Sequence, residues 1–145
     1  MTLISRVSAS EVYPIRHLVL RPDHPPEAAV FPGDELDSTY HLGIYEEGSL
    51  VGIASLYPEG PEGYGLDEAW RIRGMAVLPE HHGRGLGSKL VKACMAYAAM
   101  HGGKQLWCNA RVMARPFYEQ LGLNIDGEAF DIPGVGPHYR MICPL

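Results

Sequence analysis

The chain has 145 residues, of which 46% are hydrophobic and 20% charged. That balance excludes a disordered chain, and the length sits in the roughly 100–200-residue range of a single core, so one domain over 1–145 is expected. Twelve basic against seventeen acidic residues leave a net charge of −5, which speaks against a nucleic-acid partner.

In chain order, alternation predicts a short strand over 3–7. Ser8 and Glu11 have the spacing of a capping box, and Val12, Ile15, Leu18 and Val19 follow at helical spacing, with Pro14 early enough to be tolerated. Residues 22–39 carry Pro22, Pro25, Pro26, Pro32 and Gly33. They read as an irregular arm or a short helix, equally an exposed connector or a substrate-lining loop. Strands over 40–45 and 50–56 flank Glu46-Glu47-Gly48-Ser49, a hairpin signal. A Gly/Pro loop over 58–67 leads to a third strand over 69–78.

A glycine-rich turn follows, then a helix whose face is Leu86, Leu90, Cys94, Tyr97 and His101. Gly102 and Gly103 stop it. A buried strand over 106–110 precedes a second helix that opens at Pro116 and ends before Gly122. Strands over 123–130 and 138–143 close the chain as a hairpin. The order is β-α-(arm)-β-β-β-α-β-α-β-β, a mixed α/β (α+β) domain.

Cysteines stand at 94, 108 and 143, an odd number with no C-x-x-C spacing, so neither a disulfide framework nor a metal site is expected. Cys108, within an apolar strand, reads as an inert core thiol. No apolar run approaches the roughly 20 residues of a membrane span, and no leader pattern opens the sequence. A cytoplasmic protein with no membrane partner is the expectation.

The strongest chemical signal is Gly83-Arg84-Gly85-Leu86-Gly87-Ser88 between a strand and a helix. Glycines there let backbone N–H groups converge on phosphate oxygens at the positive end of a helix dipole. The run is not the G-x-x-x-x-G-K-[ST] of a Walker loop, nor the G-x-G-x-x-G of a dinucleotide turn.

Residues 74–90, GMAVLPEHHGRGLGSKL, resemble the acetyl-CoA motif [QR]-x-x-G-x-[GA] of the GNAT acyltransferase superfamily, and ARPFYEQLGL at 114–123 resembles its second signature. The tail LWCNAR…FYEQLGL…GPHYRM is similar to an ElaA/YjcF-like bacterial branch. The resemblance implies a mostly antiparallel sheet of about six to seven strands flanked by helices, and acetyl-CoA as co-substrate. The cofactor set it implies is Met75, Ala76, Val77, His82, Gly83, Arg84, Gly85, Leu86, Gly87, Ser88, Asn109 and Phe117. His82 stands where the family has Gln or Arg; its imidazole can donate to a phosphate or a loop carbonyl. Arg84 reads equally as a phosphate ligand or a solvated loop residue, and Asn109 equally as a pantetheine ligand or a helix cap.

The resemblance makes Tyr118 the general acid that protonates the departing thiolate. Met113, Phe117 and Leu121 mark the core-facing stripe of its helix, with Tyr118 beside it. The acceptor implied is a primary amine of a small molecule; a peptide or protein amine, or a sensor that binds acyl-CoA without turnover, are the alternatives. Glu35, Asp37, Glu128 and His138 are candidate bases, His138 projecting from its hairpin toward the substrate. Arg21, Arg71 and Arg73 are candidates for a substrate carboxylate, although arginines at strand ends are usually solvated. A homodimer is common in the superfamily.

Overall fold

The computed structural model describes residues 1–61 and 68–145; positions 62–67 of the loop expected over 58–67 lie outside the described residues. The chain groups into two compact units, Met1–Tyr57 with Ile72–Cys94, and Pro58–Arg71 with Met95–Leu145. Among the described residues there are eight strands and three α-helices, in the order the sequence implies as far as the last helix.

Unit 1 opens with β1 (Thr2–Val7) and α1 (Ala9–Leu20). The capping box forms: Ser8 Oγ accepts from the Glu11 N–H, and Glu11 Oε1 accepts from the Ser8 N–H at 2.9 Å. The arm contains one 3-10 turn, Pro26–Ala29. β2 (Tyr40–Glu46) and β3 (Ser49–Tyr57) form an antiparallel hairpin. Its two turn residues, Glu47 and Gly48, have φ of 49° and 82°, the positive pair that matches the right-handed twist of the flanking strands. β1 pairs antiparallel with β2, and β3 lies beside β4 (Ala69–Val77), whose residues from Ile72 belong to this unit. Val7, Val12, Ile15, Ile53 and Ala76 form one apolar cluster of its core.

In unit 2, Ala69–Arg71 of β4 pair in parallel with Gln105–Trp107 of β5 (Gln105–Arg111). β5 pairs antiparallel along its length with β8 (Gly136–Pro144). The later part of α2 (Leu86–Met100) and all of α3 (Arg115–Gln120) also belong here. Both helices end at a glycine of positive φ, Gly102 at 81° and Gly122 at 96°. In each case the next N–H bonds back into the helix, Gly103 to the Ala98 carbonyl and Leu123 to that of Tyr118, the hydrogen bond of a Schellman end.

The segment 123–130 does not run as one strand, which raises the strand count to eight. It makes β6 (Asn124–Ile125) and β7 (Phe130–Ile132), both on the outer edge of β8. Between them the register against β8 slips by two residues, so 126–129 leave the ladder.

Three apolar assignments change. Leu18 is 60% exposed and Met113 94% exposed, and His101 lies exposed beyond the end of α2, stacked on Tyr97 at 3.9 Å. The buried stripe of α1 is Val12, Ile15 and Arg16. Arg16 has no exposed surface. Its Nη1 donates to Asp34 Oδ2 and to the Ala29 carbonyl, both at 2.7 Å, and its Nη2 to Ser55 Oγ at 2.9 Å. Tyr57 Oη donates to Asp34 Oδ1 at 2.6 Å, and the Phe31 N–H donates to Asp34 Oδ2. His41 Nε2 donates to the Asp34 carbonyl at 2.9 Å, so in the neutral ring Nδ1 accepts from Ser55 Oγ at 2.6 Å. The Phe31 ring lies 4.0 Å from the Arg16 guanidinium.

Burial works against the charge of Asp34, but the hydrogen bonds from Arg16, Tyr57 and Phe31 outweigh it and hold the carboxyl below its usual range. Its contribution is therefore complete above the ordinary aspartate value of about 3.9 and is lost as pH falls through the depressed folded value. Asp34→Asn strands the guanidinium and is expected to destabilise the fold by about 3–5 kcal/mol at neutral pH. In denaturant titrations at pH 7 and pH 3, the wild type should weaken toward acid, and Asp34→Asn should show a smaller further loss.

Candidate functional site

In unit 1 the candidate residues lie along β4 and the turn after it. Gly74 has φ of 67° within the strand. A Cβ there would stand 2.9 Å from Arg16 Nε and 3.3 Å from the Phe31 ring, so the guanidinium and the glycine require each other. Next along β4, Met75 is half-buried and Ala76 and Val77 are buried. Pro79–His81 make a single 3-10 turn, and α2 starts at Leu86.

Between them, Gly83 and Gly85 adopt φ of 79° and 74°, with no atom within 4 Å of the place a Cβ would take. The first N–H groups of α2 have no intrahelical acceptor. The segment Gly83–Ser88 is thus an open cradle of donors at the positive end of a fifteen-residue helix, and it fits the diphosphate of a nucleotide cofactor. His82 Nε2 donates to the Val77 carbonyl at 2.7 Å. The acceptor is a strand carbonyl rather than the phosphate or loop carbonyl expected for this imidazole, and the bond ties the turn to the end of β4. Arg84 is not simply solvated: Nη1 donates to Glu46 Oε1 at 3.1 Å, which His81 Nδ1 also approaches at 3.3 Å. Burial opposes the charge of Glu46, yet the hydrogen bonds from Arg84 and His81 hold its carboxyl below the usual range.

Arg73 and Arg21 belong to the Phe31 cluster, with guanidinium carbons 4.0 Å and 5.9 Å from the ring centroid; they are not solvated strand-end charges. Glu35 is exposed and accepts from Tyr13 Oη at 3.2 Å. Asp37 is exposed. Both line a small pocket of about 180 Å³ with Arg6, Ser8 and Thr39.

In unit 2 the period of two along the strands sorts side chains onto two faces. Leu106, Cys108, Ala110, Met141 and Cys143 are buried. The alternate positions bring Arg71, Trp107, Asn109 and Arg140 to one face, because Arg71 sits opposite Trp107, and Asn109 opposite Arg140. That face floors a cavity of about 630 Å³. The residues 126–129 that leave the ladder help to wall it, with Asp126 and Glu128 lining it alongside Phe130 and Glu59. Arg140 Nε donates to Asp126 Oδ2 at 3.2 Å, and the Asp126 N–H donates to the Arg140 carbonyl at 2.8 Å. Trp107 Nε1 donates to the Glu59 carbonyl at 2.7 Å, and the Arg71 guanidinium lies 4.9 Å from the Trp107 ring.

Of the residues expected from sequence, Arg71, Asn109 and Glu128 line this cavity. Asn109 is no helix cap, since that place before the 3-10 turn Val112–Ala114 belongs to Arg111 and before α3 to Ala114. His138 does not project into solvent or line the cavity. It is buried, its Nδ1 donates to the Gly136 carbonyl at 2.8 Å, and Phe130 covers it with ring centroids 6.1 Å apart. Tyr118 is the buried residue of α3, 8% exposed, packed edge-on against the half-buried Phe117 at 4.9 Å. Trp107, Asp126 and Arg140 were missed. The alternation Leu-Trp-Cys-Asn-Ala-Arg in β5 was a signal for the first, since it sets small or apolar residues against large or polar ones.

Among the described residues no cluster of His, Cys, Asp or Glu is arranged to hold a metal, and no helix is long and apolar enough to cross a membrane.

Residues 9–123 match the model of the acetyltransferase (GNAT) family. The chain is similar to YitI of Bacillus subtilis strain 168, an uncharacterized N-acetyltransferase: 36% identical over 141 residues, 97% of this chain and 95% of YitI. Its fold is similar to the crystal structure of Escherichia coli ElaA, with a TM-score of 0.78 and 18% identity, over 98% of this chain and 99% of ElaA. It is similar also to an aminoglycoside 6′-N-acetyltransferase complexed with coenzyme A, with a TM-score of 0.78 and 16% identity, over 98% of this chain and 96% of that one.

Burial pushes the thiols of Cys94 and Cys108 up to about 12, and Cys143 is also buried. A thiol held protonated is a poor nucleophile. Ellman's reagent at pH 8 is therefore expected to find no thiol in the native protein within minutes and three after denaturation. Rapid native labelling of Cys108 would reopen an acyl-cysteine route.

Proposed function

The chain belongs to the GNAT acetyltransferase family, and from that premise we propose that it transfers an acetyl group directly from acetyl-CoA to a primary amine of a small molecule. What carries this reading is the open glycine cradle at the start of α2, with Gly83 and Gly85 at positive φ and clear of neighbouring atoms. Acetyl-CoA supplies an acyl group activated as a thioester. Backbone N–H groups of Gly83–Ser88 bind its diphosphate, and His82 holds the turn in place through Val77. Met75, Ala76 and Val77 flank the pantetheine arm, where a β4 N–H polarises the thioester carbonyl. Asn109 bonds the pantetheine amides, and Phe117 gives apolar contact.

The bond formed joins the amine nitrogen to the acetyl carbon. The bond broken is C–S, and its electron pair leaves on sulfur. An ammonium cannot attack, so one proton passes first to solvent or to the exposed Glu128 carboxylate, which lines the cavity. The nitrogen loses a second proton as the N–C bond forms, Tyr118 delivers its own proton to the leaving sulfur, and the second amine proton, carried through solvent, restores the tyrosine hydroxyl. Glu35, Arg73 and His138, held by Tyr13, Phe31 and Gly136 respectively, have supporting roles at most.

Steady-state release of CoA thiol with an amine acceptor tests the assignment. Tyr118→Phe is expected to lower kcat by about a hundredfold or more, in the range of general acid catalysis, with little change in the KM for acetyl-CoA. An unchanged kcat would remove Tyr118 from the chemistry.

A further inference from the structure

The cavity of unit 2 carries both signs of charge. Arg71 and Arg140 stand against Glu59, Asp126 and Glu128, with Phe130 and Trp107 as apolar surface. Asp126 and Arg140 engage one another at 3.2 Å. Glu59 and Glu128 are exposed at the cavity. Arg71 lies over Trp107; a guanidinium offers five donors in a planar fork, so it can receive a carboxylate beside the contacts it already makes. A polyamine in this space meets two guanidinium groups, and a dianion meets three carboxylates. A molecule with one charge of each sign meets complementary charge at both ends.

We propose that the acceptor is a small zwitterion, an amino acid or short peptide whose carboxylate is received by Arg71 and whose ammonium is drawn to Glu128 and Glu59. This rests on the acyltransferase reading above and deepens it. About 630 Å³ leaves room for a side chain against Phe130. The reaction is the transfer already written, with the α-amine as the attacking nitrogen.

The test compares acceptors that differ by one carboxylate: L-phenylalanine with 2-phenylethylamine, and L-lysine with 1,5-diaminopentane. Acetyl-CoA is the donor, and CoA release and product mass are the readouts. The acid of each pair is expected to show a kcat/KM higher by about tenfold or more, the value of a charge-assisted hydrogen bond. Arg71→Gln should collapse that ratio by raising the KM for the acid, with kcat and the thermal shift given by acetyl-CoA unchanged. Glu128→Gln should raise the KM of both members of a pair and leave the ratio intact.

A wild type that binds acetyl-CoA but prefers the decarboxylated amines, or accepts no amino acid, overturns the zwitterion and keeps the transferase. So does a ratio that survives Arg71→Gln. A wild type with no thermal shift from acetyl-CoA overturns both.

Discussion

The guanidinium of Arg16, without exposed surface and bonded to Asp34 at 2.7 Å, is the constraint from which most of unit 1 follows. A buried charge is tolerated only when it is paired, and both terminal nitrogens of Arg16 are engaged, while its Nε has no hydrogen-bond partner among the described residues. Its partners come from the arm, from β3 and, through close approach, from β4. The arm over 22–39 is therefore no loose connector: Ala29, Phe31 and Asp34 are drawn inward around the charge. β4 must turn past the same group, which is why Gly74, at φ 67°, stands there. Gly74 lies immediately before Met75, Ala76 and Val77, the stretch proposed to flank the pantetheine arm.

Unit 2 solves a different problem. Its sheet must bury one face and leave the other polar, and the period of two does both at once. Leu106, Cys108 and Ala110 face the interior while Trp107 and Asn109 face the cavity. The two-residue slip against β8 then pushes Asp126 and Glu128 out of the ladder, as bulges near binding sites commonly do. The floor of the cavity comes from regular strand geometry and part of its wall from an interruption of that geometry.

What was legible in the sequence was local. The capping box at Ser8, the Glu47-Gly48 turn, the glycine stops of α2 and α3 and the cradle at 83–88 each depend on a few neighbouring residues. What was not legible depended on partners far along the chain. Helical spacing places Arg16 on the stripe of Val12 and Ile15, but nothing local says that Asp34 waits for it, so the exposed Leu18 took its place in the reading. Met113 fails for a local reason: it falls in the 3-10 turn before α3, where helical periodicity does not apply. The role of Arg140 at the cavity needed its register against Asn109, which no spacing along the chain supplies.

The central claim is that residues 83–88 bind acetyl-CoA through backbone N–H groups freed by left-handed glycines. Calorimetric titration of acetyl-CoA into the wild type and into Gly85→Val tests it most directly. One site on the wild type and an affinity about five- to thirtyfold weaker in the variant are expected, since a side chain at φ 74° is strained by roughly 1–2 kcal/mol. Equal affinity in the two proteins, or no binding by the wild type, would contradict it.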